Sequence, residues 1–184
     1  MESQDPLVNQ IDEILHPNSV AIVGVPRGMK VGKLFLISLL DQKYPGELYL
    51  VNPNATEIDG ITCYPDISSI PGKIDLVILL IPNFAALAAI KECAAKGVKG
   101  VVLFTAGFKE TGTQEGANLE REIVQIAQAA NMRLIGPNGM GFYVPKSGLS
   151  FIPGLSKQIG PISVVSHSGS LANILCRMSP QKGI

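Results

Sequence analysis

The sequence is poor in charge. Only 16% of its 184 residues are Asp, Glu, Lys or Arg, and fifteen of each sign give a formal net charge of zero. No global field therefore draws in nucleic acid or an anionic membrane, and an anion could be held only by a local concentration of Lys, Arg and backbone N–H groups. Histidine and cysteine are scarce too. His16, His167, Cys63, Cys93 and Cys176 are scattered, with no C-x-x-C pair. That pattern supports neither a disulfide framework nor a metal site, and it reads as reduced thiols in a cytoplasmic protein. No apolar run reaches the roughly 18 residues of a membrane helix, and MESQDPLVNQ lacks the basic-then-apolar order of a secretion signal. There is no internal repeat and no low-complexity tract.

Apolar residues are abundant. At 46% they place the chain well inside the globular range, and its length suits one buried domain with a remainder. Short β-rich runs alternate with segments of helical period. Strands are expected at Ser19 to Val25, Glu47 to Val51, Leu76 to Ile81, Val98 to Phe104 and Arg133 to Ile135. Their near-continuous apolarity means that both faces are covered, as in a parallel sheet. Helices are expected at Lys33 to Gln42, Ala85 to Lys96 and Gly116 to Ala130, the last with Leu119, Ile123, Ile126, Ala127 and Ala130 on one face. Right-handed βαβ crossovers would wind these into an α/β, Rossmann-like doubly wound parallel sheet of about five strands. From Asn138 to Gly160 five glycines and two prolines interrupt the periodicity, as in a linker or irregular crossing segment. GPISVVSHSGSLANILCRM then offers a fresh strand, a Ser/Gly turn and a helix, one βα unit too small to bury a core alone. The expected organisation is a domain over 1–145, a linker over 146–160 and the incomplete start of a second domain over 161–184.

Ligands of open α/β sheets bind beyond the carboxyl ends of the strands. Here those ends are followed by GVPRGMKVGK, NPNATE, PNFA, TAGFKETG and GPNGMG. Gly, Pro, Asn and Thr allow close backbone approach and offer hydrogen bonds without bulk, which suits an extended phosphorylated ligand. Plainer readings exist: a glycine turn that only starts a helix tightly, a solvated face formed by Arg27, Lys30 and Lys33, and strand ends marked by Pro53 and Pro82. A nicotinamide site demands an acid after the second strand and G-x-G-x-x-G spacing. The chain has Asn52, Pro53 and Asn54 there, and its Gly24, Gly28 and Gly32 are spaced four and four. An ordinary NAD enzyme is disfavoured.

SVAIVGVPRGMKVGKL, LYLVNPNATEIDGITCYPDI, DLVILLIPN, GVKGVVLFTAGFKETG and MRLIGPNGMGF follow one another in an order that resembles the coenzyme A-binding domain of the NDP-forming acyl-CoA synthetases, relatives of the succinyl-CoA synthetase alpha subunit. The resemblance covers nearly the whole chain. It implies that Gly24, Pro26, Arg27, Gly28, Met29 and Lys30 wrap the phosphates of coenzyme A or acyl-CoA. It further implies that Asn52, Pro53, Ile81, Pro82, Phe104, Thr105 and Ala106 line the nucleotide and pantetheine path, with Asn138 near the thiol. Two positions depart from the family pattern: a small hydroxyl residue is missing near Pro26, and Gly139 replaces a cysteine.

Ser166, Ser168 and Gly169 resemble the turn that opens the family's flavodoxin-like ligase domain and holds the phosphoryl group of a phosphohistidine at a helix N-terminus. His167 fills the variable position of that turn and is not that histidine. The resemblance thus implies a CoA-binding portion whose phosphohistidine and ATP-grasp parts, on other domains or a subunit, lie outside these residues. This chain alone is expected to bind a CoA thioester and catalyse nothing, with no catalytic residue assigned. A free-standing coenzyme A sensor, or the inactive synthetase-like region of a protein acyltransferase, would share the pocket. Ile162, Val164, Val165, Leu171, Ile174 and Leu175 lack partners of their own, so the tail is expected to pack back on the first domain or on a second copy.

Overall fold

Val20 to Val23 are buried on both sides of the backbone, and the rest of the fold is arranged to cover them. The computed structural model describes residues 5–183. Helix α1 spans Pro6–Leu15, β1 Ser19–Val23, α2 Lys33–Gln42 and β2 Glu47–Val51. A hairpin follows, β3 Glu57–Ile58 and β4 Ile61–Tyr64, then β5 Leu76–Leu79, α3 Asn83–Lys96, β6 Gly100–Leu103, α4 Gln114–Ala129, β7 Arg133–Ile135 and α5 Gly169–Met178.

The strands form one seven-stranded sheet in the order β3-β4-β2-β1-β5-β6-β7. Every pairing is parallel except that of β3 with β4. Val20 of β1 lies between Leu48 of β2 and Leu76 of β5, so the chain moves to one side of β1 and then to the other. That reversal opens a crevice at the β1 and β5 tips.

Successive strand residues serve opposite layers. Ala21, Val23, Val77, Leu79 and Val101 pack with Ala86 and Ile90 of α3 and Ile123 of α4. Val20, Ile22, Leu50, Ile78 and Val102 pack with Phe35, Leu36 and Leu39 of α2 and with Ile14 of α1. This doubly covered arrangement is why the strands read as continuous apolar runs.

The five expected strands are present within two residues or so of their expected ends, and the β3–β4 hairpin adds two. Its turn is Asp59-Gly60, both left-handed, with φ of 53° and 80°; an Asp-Gly pair between short β runs is a hairpin signal. Helix α1 is likewise an addition: Asp5 caps it by accepting the Leu7 N–H at 2.8 Å, and Pro6 occupies the first turn, where no N–H is needed.

After β7 the chain is irregular but packed. Leu149, Phe151 and Leu155 are buried, Ser147 donates to Leu15 O at 2.7 Å, and the buried Gln42 side chain donates to Leu155 O at 2.9 Å. The segment expected as a linker therefore supplies part of the α2-side core. The strand expected after Gly160 does not form. Residues 160–168 are exposed, Val165 fully so, because no sheet edge lies alongside to pair their N–H and C=O groups. Helix α5 does form, capped by Ser168, which accepts from Leu171 N at 3.2 Å. The half-buried residues Gly169, Ala172, Asn173 and Cys176 form one of its faces, and Arg177 Nη2 donates to Pro153 O at 3.3 Å. The opposite face, Leu171, Ile174, Leu175 and Met178, stays exposed.

Phe151→Ala should lower stability by about 3 to 5 kcal/mol, the range for deleting a buried aromatic ring. Equilibrium urea unfolding reads this directly. An unchanged midpoint would mean that residues 146–160 contribute no core.

Candidate functional site

Gly24 ends β1 in a left-handed turn, with φ of 88°, and its N–H donates to Val51 O at 2.9 Å. A Cβ there would stand 2.8 Å from Ile81 Cγ2 and 2.9 Å from Leu80 O. Only glycine satisfies both the backbone angle and the space, so the β1 turn can lie directly against the β5 tip.

Side chains then tie the other tips to this contact. Asn52 Nδ2 donates to Val25 O at 2.8 Å, its backbone N–H donates to Tyr64 O at 3.0 Å, and its Oδ1 accepts from Asn54 N at 2.9 Å. Thr105 Oγ1 donates to Ile81 O at 2.5 Å, and Asn138 N donates to Thr105 O at 2.9 Å. Asn83 Nδ2 reaches Gly107 O at 2.9 Å. The tips of β1, β2, β5, β6 and β7 are thus one hydrogen-bonded rim. The family resemblance implies Asn52 and Thr105 as lining residues; their side chains here join the loops of neighbouring strand tips.

Arg27, Gly28, Met29 and Lys30 stand exposed above this rim, Met29 at 75%, while Pro26 is half-buried. Pro53, Pro82, Ala106 and Asn138 are exposed along it. Phe104 turns its ring inward, edge-on to Phe35 with centroids 5.0 Å apart, so only its backbone can face a ligand. The turn at Ser166, Ser168 and Gly169 is held by Ser168 N donating to Ser166 Oγ at 3.0 Å. Gly169 sits close against Met140, where an added Cβ would come 2.4 Å from Sδ. This helix N-terminus is therefore a neighbour of the GPNGMG loop that carries Asn138.

Lys33 is not part of a solvated face. As the first residue of α2 its side chain is 4% exposed, and its Nζ lies 2.8 Å from Asp59 Oδ2 in the β3–β4 turn. Nζ has no neutral hydrogen-bond acceptor, so the carboxylate alone offsets its burial. Of the three basic residues in the turn, only Arg27 and Lys30 keep their charge facing outward. Glu110 is a further residue that sequence reading missed. It accepts from Gly107 N at 2.7 Å and Phe108 N at 3.1 Å, fixing the loop after β6. Partial burial opposes its ionisation, but the backbone donors outweigh this and hold its carboxyl below the ordinary glutamate range.

Burial pushes the Cys63 thiol up, with Lys33 and Arg27 offsetting part of the effect. Cys93 is pushed up to about 12, chiefly by burial. Neither thiol is poised as a thiolate. Among the described residues no group of three or more His, Cys, Asp or Glu could hold a metal ion, and no helix is long and apolar enough to cross a membrane.

Residues 18–145 match the family model of the CoA binding domain. The chain belongs to that family. The chain is 34% identical over 176 residues to the ADP-forming acetate–CoA ligase I of Archaeoglobus fulgidus, covering 95% of this chain and 25% of that one. It is 36% identical over 163 residues to the alpha subunit of the ADP-forming acetate–CoA ligase II of Pyrococcus furiosus, covering 88% and 35%. Among solved structures, the apo dinucleotide-forming acetyl-coenzyme A synthetase 1 of Ca. Korarchaeum cryptofilum superposes with a TM-score of 0.83 at 32% identity, over 94% of this chain and 37% of that one. The chain thus spans a quarter to a little over a third of the length of these relatives.

Asp59→Asn would leave the Lys33 ammonium buried without its counter-charge. The expected loss is about 1 to 3 kcal/mol, below the full cost of breaking a buried pair because Asp59 is itself half exposed. Thermal unfolding checks it, and the double variant Lys33→Met, Asp59→Asn should recover part of the loss. Glu110 supports the fold when ionised. Its contribution is complete above the ordinary glutamate pKa and disappears as pH falls through the lower folded value. Glu110→Gln should accordingly flatten the acid limb of the stability–pH curve.

Proposed function

We propose that this domain binds coenzyme A and its thioesters across the tips of β1, β2, β5 and β6, as the N-terminal CoA-binding part of an NDP-forming acyl-CoA synthetase. The observation that carries this reading is the joining of the β1 turn to the β5 tip at Gly24, with two exposed cations, Arg27 and Lys30, in the turn above it. A pyrophosphate and a 3′-phosphate present several charges to such a turn, and charge-assisted hydrogen bonds from Arg and Lys suit them. Backbone N–H groups of residues 27–29 would supply neutral donors. Pantetheine needs little charge, which fits a path along Ile81, Pro82 and residues 104–106 toward Asn138.

The electrostatics disfavour a nicotinamide dinucleotide. No carboxylate stands directly at the end of β2, where Asn52, Pro53 and Asn54 follow Val51, and the nearby Asp59 is paired with Lys33. A ribose diol would find no acidic partner there.

Family membership and the short span of the chain against its relatives support the remaining pieces of the reading. Segments carrying the phosphohistidine and a nucleotide-grasp domain would act with this one, on the same polypeptide or a separate subunit. Ser166, Ser168 and Gly169 would hold the phosphoryl group on that side, using the N-terminal dipole of α5. Such a division assigns binding and positioning to these residues and leaves bond-making to the partner domains.

Calorimetric titration with coenzyme A, dephospho-coenzyme A and NAD tests the proposal. Coenzyme A should bind and NAD should not. Arg27→Ala or Lys30→Ala should weaken coenzyme A by roughly 1 to 3 kcal/mol, typical of a lost charged hydrogen bond, with a smaller effect on dephospho-coenzyme A for whichever residue reads the 3′-phosphate. Absence of coenzyme A binding at millimolar concentration would end the assignment.

A further inference from the structure

The sheet ends in an open edge. β7 is its last strand, and no strand lies beyond it among the described residues. Arg133, Leu134 and Ile135 are half-buried, whereas β1, β5 and β6 are buried throughout. Arg133 N donates to Lys99 O at 2.9 Å, so this residue turns its backbone polar groups toward β6. In a parallel ladder the N–H and C=O of one residue face one neighbour and those of the next residue face the other side. Leu134 therefore presents both its N–H and its C=O outward, with no strand to take them.

Side chains alternate between the two layers. Leu134 packs with the α3 and α4 layer, and Ile135 with the α2 layer. Arg133 shares the face of Ile135, where its Nε donates to Gln10 Oε1 of α1 at 2.8 Å. On the Leu134 side, under α4, a cavity of about 260 Å³ opens. Leu103, Phe108, Ile123, Ala127 and Met132 make its buried floor, and Glu120 and Gln128 stand along its α4 wall. A helix and an unpaired strand edge thus bound one groove.

Charge gives this groove a direction. Arg133 has the neutral Gln10 amide as its partner, and no carboxylate forms an ion pair with it among the described residues. Glu120 accepts from Lys109 N at 3.1 Å and is likewise in no ion pair there. In a βαβ crossover the helix runs opposite to its strands, so Glu120 lies toward the Gly136 end of β7 and Gln128 toward the Arg133 end. One end carries an uncompensated anion and the other an uncompensated cation.

An extended peptide meets all of these features at once. Strand addition to an open edge supplies main-chain hydrogen bonds, and alternate side chains supply the selectivity. We infer that the β7 edge and the groove under α4 take an extended, antiparallel peptide segment of a partner protein, in the order basic, any residue, apolar, acidic. The apolar residue pairs with Leu134, exchanging both backbone hydrogen bonds with it, and its side chain enters the cavity. The acidic residue follows, opposite Arg133 and on the same face as the guanidinium. The basic residue falls opposite Gly136, on the α4 side with Glu120. None of this depends on the coenzyme A reading, since the groove lies along the edge of the sheet and not across the strand tips.

Fluorescence anisotropy on the full chain with the labelled, end-capped peptide Lys-Val-Phe-Glu-Leu-Ser tests it. The peptide should bind saturably. Changing its Glu to Lys should weaken binding about tenfold or more, as for a lost charged hydrogen bond. Arg133→Gln should weaken the original peptide by a similar factor and make the protein indifferent to that Glu. N-methylation of the peptide Phe removes its donor to Leu134 O and should abolish binding, with the protein itself unaltered. No saturable binding at millimolar peptide, equal binding of the N-methylated peptide, or a dependence on the Glu that persists in Arg133→Gln would each overturn the inference. So would self-association of the chain that shuts the peptide out, since the edge would then belong to a second copy.

Discussion

The approach of the β1 turn to the β5 tip at Gly24 is the constraint on which the site depends. With Ile81 Cγ2 and Leu80 O both inside 3 Å of where a Cβ would stand, the β1 turn and the β5 tip meet in a contact made by backbone as well as side chain. A ligand crossing the tips meets a floor that cannot relax without disturbing the two central strands. The hydrogen bonds of Asn52, Thr105 and Asn138 extend that rigidity outward, so the exposed basic turn sits on a fixed base.

Charge follows the same logic. The basic turn has three cations in sequence, but packing divides them by depth. Lys33 reaches into the layer between α2 and the hairpin and is neutralised by Asp59, whereas Arg27 and Lys30 keep their charge in solvent. The first is a structural cation whose removal or unpairing costs stability. The other two are exposed, and any interaction of theirs with a phosphate would weaken as salt rises.

Much of this was legible in the chain. The continuous apolarity of Ser19 to Val23 and Leu76 to Leu79 announces strands buried on both faces, and helix α4 declares itself through Leu119, Ile123 and Ala127. The strand-end loops are equally plain in their Gly, Asn and Pro content. The β3–β4 hairpin was overlooked although Asp59-Gly60 signalled it, because its strands are too short for periodicity to register. Helix α1 was overlooked because its apolar positions face partners distant in sequence, among them Gly100, which packs on Ile14. Residues 161–166 misled in the opposite sense: Ile162, Val164 and Val165 have strand propensity, but propensity makes no strand where no neighbour accepts its hydrogen bonds.

The sequence by itself determined the α/β class and the kinship with coenzyme A-binding domains, and it named the strand tips as the candidate site, because periodicity, turn chemistry and motif order are local properties. Tertiary structure alone decided which side chains keep their polar groups free. Asn52, Thr105 and Lys33 looked equivalent to their neighbours in one dimension, and only the convergence of elements distant along the chain assigned their donors to the protein and left Arg27 and Lys30 exposed.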